Sequence, residues 1–257
     1  MTFVDLTALT SPEAAALAGR AIGSVPIGAL EQHGPHLPLS TDSVITTALV
    51  RAACERVAEP VVVAPCLPVG LSAQHASFAG TVTLSAELLV GIVEAYLDSF
   101  ERMGIRRVAL MSAHGGNLPV LASRDFSRVG RLQVAAYTDF HRFLEILANA
   151  AREEGVSAPA CDSHAGAGET SLILHLLGSS AVRHVDAGTG YQGNDPDWFA
   201  TLSRGIEQLT PDGVVGDPTQ ASSQAGCASF AALAAEWGSW LVGTFGLTEV
   251  APTVMAG

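Results

Sequence analysis

The chain has 257 residues, of which 48% are hydrophobic and 15% are charged, and 25 acidic residues against 13 basic ones give a net charge of -12. All 13 basic residues are arginine, and lysine is absent. The absence of lysine excludes Schiff-base chemistry and a phosphate-binding Walker lysine. The acidic balance argues against nucleic acid as a partner, because binding to phosphates requires a basic surface.

The length favours one large domain, and without any low-complexity linker or internal repeat we assign residues 1–257 to a single domain. No apolar run approaches the roughly 20 residues that span a bilayer, and the N-terminus lacks the pattern of a signal peptide. These features predict a cytoplasmic protein without a membrane partner. The cysteines are widely spaced with no CxxC motif, which indicates reduced thiols rather than a zinc knuckle or a redox pair.

Short β-rich runs alternate along the chain with longer helical patterns. The sequence predicts strands over residues 24–30, 61–64, 107–111 and 132–137. It predicts helices over residues 41–57 and 86–103, one capped by Asn117 with Pro119 in its first turn, one ending at Leu177, and one over residues 221–241. A loop is expected over residues 188–196. The alternation predicts an α/β fold, a single layered domain with a mostly parallel central sheet flanked by helices.

The first polar cluster follows the first of these predicted strands. Glu31 and His33 are two residues apart, and Asp42 stands at the start of the next predicted helix. In an extended chain the first two side chains point to the same side. A mixture of imidazole and carboxylate suits a divalent cation such as Zn, Mn or Fe. The alternative interpretation is a solvated surface loop.

The second cluster follows the predicted strand that ends at Met111. His114 is followed by Gly115, Gly116 and the helix cap Asn117. Ligands of parallel sheets bind at the carboxyl ends of strands, and glycines there allow close approach of the backbone. A structural histidine and a nucleotide-binding turn are the alternatives, although the full GxGxxG pattern of a nucleotide site is missing.

A third cluster contains Asp162, His164 and Glu169, in a loop of small residues that leads into a helix. Glu169 falls in the first turn, where a carboxylate can also be a simple helix cap. A weaker fourth cluster contains Ser72 and His75 and is expected to form a wall of the pocket.

Together the clusters supply two histidines, two glutamates and one aspartate at three loops that follow strands. Five ligands exceed the three that a catalytic zinc ion normally takes from a protein. The set suits two metals about 3.5–4 Å apart that share a carboxylate and a hydroxide.

These motifs resemble the creatininase family of binuclear metal amidohydrolases. The resemblance rests on Glu-Gln-His-Gly-Pro-His-Leu-Pro-Leu-Ser-Thr-Asp at 31–42, His-Gly-Gly-Asn at 114–117 and Ser-His-Ala-Gly-x-x-Glu-Thr-Ser at 163–171. The longer run at 162–175 and Gly-Val-Val-Gly-Asp-Pro-Thr at 213–219 are most similar to the members of the mycofactocin pathway, which are peptidases that free the modified C-terminal core of a precursor peptide.

The resemblance implies a role for each matching residue. It implies two divalent metal ions, Zn, Fe or Mn, and a metal-bridging hydroxide that attacks the amide carbonyl. The implied metal ligands are Glu31, His33, Asp42, His114 and Glu169, with Asp42 as the bridge. His164 is implied as the catalytic residue that transfers protons at the scissile nitrogen, and the predicted substrate contacts are Ser72, His75, Gly115 and Asp162.

Two departures from creatininase itself bear on the site and on the substrate. Creatininase has a glutamate ligand where this chain has Gly116, so that Glu169 must complete the ligand set. Creatininase also closes over its substrate with tryptophans, whereas no tryptophan precedes Trp198 here. Without that stacking surface a peptide is a better candidate than creatinine. A small-molecule amidase, acting on a cyclic amide or a formamide, is the alternative.

A serine hydrolase and a nucleotide-binding module are alternatives from other classes of protein. A serine hydrolase would need a nucleophile such as Ser72, Ser112 or Ser163, but the chain has no GxSxG elbow. A binding module would hold a nucleotide at His114–Asn117 without catalysis. The family resemblance also implies a symmetric homo-oligomer, often a hexamer.

Overall fold

A computed structural model describes residues 2–127, 131–159, 161–183, 190–193 and 197–250. The strands of this part of the chain are β1 (Phe3–Asp5), β2 (Ile22–Pro26), β3 (Val61–Val63), β4 (Arg107–Met111) and β5 (Gln133–Ala136). The helices are α1 (Ser11–Ala15), α2 (Thr41–Cys54), α3 (Ala86–Arg102), α4 (Leu118–Ser123), α5 (Phe140–Glu153), α6 (Ala167–Leu177), α7 (Trp198–Leu202) and α8 (Ser223–Phe245).

The five strands form one sheet in the order β1-β3-β2-β4-β5, and every pair in it is parallel. The central strand is β2, where Gly23 lies opposite Val62 of β3 on one side and Val108 of β4 on the other. The chain therefore turns to one side after β2 and to the other side after β3. Such a reversal of strand order leaves a crevice at the carboxyl ends of β2 and β4, where ligands of parallel sheets bind.

The alternation of side chains along the strands builds two cores. In β4, Ala109 and Met111 face one core, and Val108 and Leu110 face the other. Helices α2, α5, α6 and α8 cover the first face, and α3 and α4 cover the second. Trp237 of α8 is fully buried in the first core. The predicted single α/β domain with a parallel sheet between helical layers is confirmed.

The first predicted strand is shifted relative to the structure. The expected strand over residues 24–30 is observed as β2, which begins at Ile22 and ends at Pro26. Beyond Pro26 the chain leaves the sheet and makes only isolated bridges, from Ile27 to Leu67 and from Leu30 to Val82. Because the chain no longer pairs with the sheet after Pro26, the residues that follow can turn towards the predicted site.

The other boundaries agree with the prediction to within a few residues. Helix α2, predicted over residues 41–57, begins at Thr41 after the N-cap Ser40 and ends at Cys54. Asn117 is the N-cap of α4, with a proline in its first turn as predicted. The predicted closing helix is α8, which begins at Ser223 and extends to Phe245.

Four elements were not predicted, namely the edge strand β1 and the helices α1, α5 and α7. The predicted loop over residues 188–196 lies mostly outside the described residues. Among the described residues, no helix combines the length and apolar character needed to cross a membrane.

Candidate metal centre

The predicted ligands come together at the carboxyl ends of β2 and β4. Glu31 follows β2, His114 follows β4, and Asp42 lies in the first turn of α2. Glu31, Asp42 and His114 are all buried, with exposed fractions of 0%, 2% and 4%. Buried charges require compensation, so the solvated-loop interpretation does not apply to this cluster.

Three of the predicted ligands form a first group. His114 Nδ1 lies 3.2 Å from Asp42 Oδ2 and 3.5 Å from Glu31 Oε1. Oxygen and nitrogen ligands about 2.0–2.1 Å from a tetrahedral ion stand roughly 3.3–3.4 Å apart. The separations in this group therefore match those of a metal site.

A second group lies on the other side of Asp42. His33 Nε2 is 3.6 Å from Asp42 Oδ1 and 3.7 Å from Glu169 Oε2. The two groups, Glu31–Asp42–His114 and His33–Asp42–Glu169, each have ligand atoms within 4.8 Å of one another. Asp42 belongs to both groups and presents a different oxygen to each histidine.

His164 lies beside both groups. Its Nδ1 atom is 3.6 Å from Glu31 Oε1, and its ring lies 4.3 Å from the ring of His33. Glu31, His33 and His164 also have ligand atoms within 4.8 Å of one another, so His164 is within reach of a metal as well as of a substrate.

Backbone carbonyls fix the tautomers of the two candidate histidine ligands. His114 Nε2 lies 2.8 Å from the carbonyl oxygen of Leu71, and His33 Nδ1 lies 3.1 Å from that of Glu31. A carbonyl only accepts, so these nitrogens donate. In the neutral form of each ring, which is the form that binds a metal, the lone pairs of His114 Nδ1 and His33 Nε2 face the carboxylates. Metal-binding histidines are commonly oriented by such an outer partner.

Several buried atoms of the cluster have no hydrogen-bond partner among the described residues. Both carboxylate oxygens of Glu31 and Nε2 of His33 are among them. A buried carboxylate without a hydrogen bond is costly, and coordination of a cation would offset that cost. The residues present therefore fit a divalent metal centre.

The pKa values show how strongly the groups interact. Burial alone would lower the pKa of both His33 and His114, but the adjacent carboxylates outweigh it and raise each to about 10. Burial acts to raise the pKa of Asp42, yet the charges of His114 and His33 hold it well below its usual value. Burial raises the pKa of Glu31 and of Glu169 to about 7. The protons on the histidines stand where metal ions would provide positive charge.

The pKa of His164 is shifted in the opposite direction to those of His33 and His114. Burial, followed by the positive charge of His33, holds the pKa of His164 well below its usual value. Its Nε2 atom lies 2.8 Å from the carbonyl oxygen of Gln32 and therefore donates to it. His164 is thus neutral, with the lone pair of Nδ1 facing Glu31.

Gly116 has a packing reason to be glycine. A Cβ atom there would come within 2.2 Å of the Leu71 carbonyl oxygen and 2.4 Å of His114 Nε2. Glycine at this position leaves room for the hydrogen bond that orients His114. This packing accounts for Gly116 without a nucleotide, and a Cβ atom on Gly115 would come within 3.0 Å of the Phe140 ring. The side chain of Asn117 is also engaged, since it accepts from Leu71 N and donates to the carbonyl of Gly28.

The predicted substrate contacts have different surroundings. His75 and Gly115 line the cavity above the ligands. Ser72 is fully buried at the N-cap of the short turn that contains His75. Asp162 lies farther out, where its two carboxylate oxygens accept from the amides of Ala167 and Gly168 at the start of α6. The contacts of these four residues with a substrate stay predictions.

Two adjoining cavities lead to the cluster. The inner one has about 300 Å³ and is lined by Glu31, Asp42, His114, His164 and Glu169 among others. The outer one has about 790 Å³ and is mostly apolar. Both are bordered by Gly115, Pro119, Phe140, Leu144 and Ser163.

Sequence reasoning assigned no role to two buried polar residues of the first motif. Gln32 contacts both His75 and His164. His36 pairs with Thr170 Oγ1 at 2.9 Å, and burial lowers its pKa to about 4. Both residues belong to the motif at 31–42, which also contains three of the predicted ligands. That position in the sequence was the signal that could have identified them.

Comparison with known proteins supports the same assignment. A family model described as creatinine amidohydrolase matches residues 7–241. The mycofactocin precursor peptide peptidase of Mycobacterium tuberculosis is 32% identical over 221 residues, covering 81% of this chain and 80% of that protein. The creatinine amidohydrolase of Pseudomonas putida is 33% identical over 181 residues, covering 64% of this chain and 67% of that protein.

Solved structures share the fold. A structure named "Creatininase Mn" aligns over 94% of this chain and 98% of its own with a TM-score of 0.73 at 24% identity. A creatininase variant described as "Zn-Zn type" covers 95% of this chain and 99% of its own, with a TM-score of 0.70 at 23% identity. The chain belongs to the creatininase family, the metal-dependent hydrolases of amide bonds that the sequence motifs predicted.

Proposed function

We propose that the chain is a dinuclear metal peptidase that cleaves an amide bond of the mycofactocin precursor peptide and releases its modified C-terminal core. The observation that carries the dinuclear part is the position of Asp42. Its two oxygens face His114 and His33 at 3.2 Å and 3.6 Å, each with a further carboxylate nearby. One aspartate shared by two ligand groups is the arrangement of a two-metal site.

In this proposal Glu31, Asp42 and His114 hold one cation, and His33, Asp42 and Glu169 hold the other. When bound, such ions supply a nucleophile near neutral pH, because coordination lowers the pKa of water from 15.7 to about 7, and they polarise the scissile carbonyl. The ligand set of imidazoles and carboxylates accepts Zn, Mn and Fe alike.

His164 is proposed to move protons. It is neutral, and its Nδ1 lone pair faces the cavity, because Nε2 donates to the carbonyl oxygen of Gln32 at 2.8 Å. Nδ1 can accept the proton that the attacking water loses and return it to the leaving nitrogen. The hydrogen bond to Gln32 keeps the ring in this orientation throughout.

The two cavities support a peptide as the substrate. The inner cavity of about 300 Å³ suits the residues next to the scissile bond, and the outer one of about 790 Å³ can accommodate further residues. No tryptophan is among the described residues that line either cavity, so the tryptophan cover that creatininase places over its small substrate has no counterpart in these linings. Arg152 is an arginine on the outer wall and a candidate partner for a carboxylate.

The test is incubation of the purified protein with the modified precursor peptide, followed by mass spectrometry. With Zn, Mn or Fe(II) we expect two fragments whose masses sum to that of the peptide plus water. After EDTA treatment cleavage should stop and return when metal is added back. A serine hydrolase would be unaffected by EDTA. An intact peptide with every metal would refute the proposed substrate.

A small-molecule amidase is the second candidate, favoured by the 33% identity to a creatinine amidohydrolase. The same protein should then hydrolyse creatinine, another cyclic amide or a formamide with the same metal requirement, while leaving the peptide intact. The expected homo-oligomer and the cytoplasmic location stay predictions.

A further inference from the structure

Gln32 lies between the candidate ligands Glu31 and His33, and the backbone fixes the orientation of its buried amide. The oxygen Oε1 accepts from the amide of Gly34 at 2.9 Å. The nitrogen Nε2 donates to the carbonyl oxygen of Gly213 at 3.0 Å. A backbone amide only donates and a carbonyl only accepts, so the oxygen and nitrogen of Gln32 cannot exchange places.

The second hydrogen of Gln32 Nε2 is directed to His75. His75 Nδ1 lies 2.9 Å from this nitrogen, and His164 Nε2 lies 3.0 Å from it. His164 Nε2 already carries a hydrogen, which it donates to the carbonyl oxygen of Gln32 at 2.8 Å. It therefore cannot accept, and His75 Nδ1 is the acceptor. A ring nitrogen that accepts a hydrogen bond carries no hydrogen, so the His75 ring is neutral and its single hydrogen is on Nε2.

The Nε2–H group of His75 faces the reaction centre. It lies 3.5 Å from Glu31 Oε1, and His75 lines the inner cavity together with Glu31 and His164. The opposite tautomer would present a lone pair to a carboxylate instead. Only the tautomer that accepts from Gln32 brings a donor to this side of the cavity.

We propose that Gln32 is a positioning residue, which acts by holding His75 in the Nε2-protonated tautomer so that its N–H can donate to the carbonyl oxygen of the substrate amide. The inference rests on the proposed amide hydrolysis. An N–H directed at the developing oxyanion stabilises the transition state more than the ground state. Gln32 itself touches neither substrate nor metal in this scheme.

The first experiment compares Gln32→Met and His75→Ala with the wild type. Both single variants should keep the metal content of the wild type and lose about 10²–10³-fold in kcat, as expected for loss of one oxyanion donor, with a smaller change in KM. The double variant should be no slower than His75→Ala, because Gln32 acts through His75. A double variant slower by the product of the two single losses would overturn the proposal.

The second experiment measures the tautomer directly and needs no activity. In metal-free protein with ¹⁵N-labelled histidine, the ring nitrogens of His75 are assigned by comparison with His75→Ala. The wild type should show Nε2 protonated and Nδ1 bare. Gln32→Glu should show Nδ1 protonated, because a carboxyl group has at most one hydrogen and cannot donate to both Gly213 and His75. An Nδ1-protonated His75 in the wild type, or the same tautomer in both proteins, would overturn the proposal.

The two proposals fail in different ways. A wild type that hydrolyses no amide in any metal refutes the proposed function, while the tautomer measurement still decides the arrangement of Gln32 and His75. A wild type with metal-dependent activity and a fully active Gln32→Met refutes only the role of Gln32. If Gln32→Met does not fold, Gln32→Glu gives both readouts.

Discussion

The Nδ1 atom of His114 lies 3.2 Å from the Oδ2 atom of Asp42, at the point where the carboxyl end of β4 meets the first turn of α2. The residues are 72 positions apart in the sequence, and the parallel sheet brings them into contact. The other oxygen of the same carboxylate faces His33 at 3.6 Å. Asp42 thus links two halves of one centre.

Replacement of Asp42 should therefore affect both halves at once. Asp42→Ala removes a ligand from each group, and we expect it to retain well under one metal ion per chain. Glu169→Ala removes a ligand from one group only and should retain about one. Elemental analysis after dialysis measures the metal content of both variants. Glu87→Gln, which removes an exposed carboxylate outside the site, is the control and should keep the metal content of the wild type. A fully loaded Asp42→Ala would contradict the bridging role.

His164 should be separable from the metal ligands. His164→Ala is expected to keep the metal content of the wild type and to lose about 10²–10⁴-fold in kcat, the usual contribution of a general acid–base group. His33→Ala, in contrast, should lose metal as well as activity. If His164→Ala loses metal too, the residue is a ligand, as its distance of 3.6 Å from Glu31 Oε1 also allows.

Metal should stabilise the protein more as the pH rises. In the metal-free protein the neighbouring carboxylates raise the pKa of His33 and of His114 to about 10, against about 6.5 in an unfolded chain. Protonation of these two groups stabilises the metal-free fold fully below about pH 6.5, and this stabilisation is lost as the pH rises through 10. Metal binding requires neutral imidazoles and so releases protons.

The measurement is the increase in Tm on adding Mn at pH 6 and at pH 8. We expect the larger increase at pH 8, since each proton released changes the binding free energy by about 1.4 kcal/mol per pH unit. Titration calorimetry in two buffers of different ionisation enthalpy should show proton release. An increase in Tm that is independent of pH would contradict the assignment of both histidines as ligands.

Gly116 should not tolerate even a methyl group. Gly116→Ala places a Cβ within 2.2 Å of the Leu71 carbonyl oxygen, which disrupts the hydrogen bond from His114 Nε2. We expect a loss of about 1–3 kcal/mol in stability from overpacking and a metal affinity about 10–100-fold weaker. Gly91→Ala, in α3 with open space around it, is the control and should gain about 0.5–1 kcal/mol. Thermal unfolding and metal titration test both variants.

The layered fold could be predicted because local patterns determine it. The apolar runs that became β3 and β4 were identified to within one residue, and helix α3 follows its apolar period from Ala86 to Arg102. The edge strand β1 was missed, because it has only three residues and its pairing with β3 depends on a distant segment. Helix α5 was also missed as an element, although its residues 143, 146, 147, 150 and 151 are buried at helical spacing.

The sequence by itself determined the ligand types and their motifs, since imidazole and carboxylate chemistry is a property of the residues. It also determined the family, because the motifs at 31–42 and 114–117 are contiguous in the chain. Only the tertiary structure decided which groups face one another. The placement of Asp42 between His33 and His114 and the contact of Gln32 with His75 both depend on segments distant in sequence. The physical reason is that parallel strands gather remote loops at one edge of the sheet, and that buried hydrogen bonds then select one tautomer for each ring.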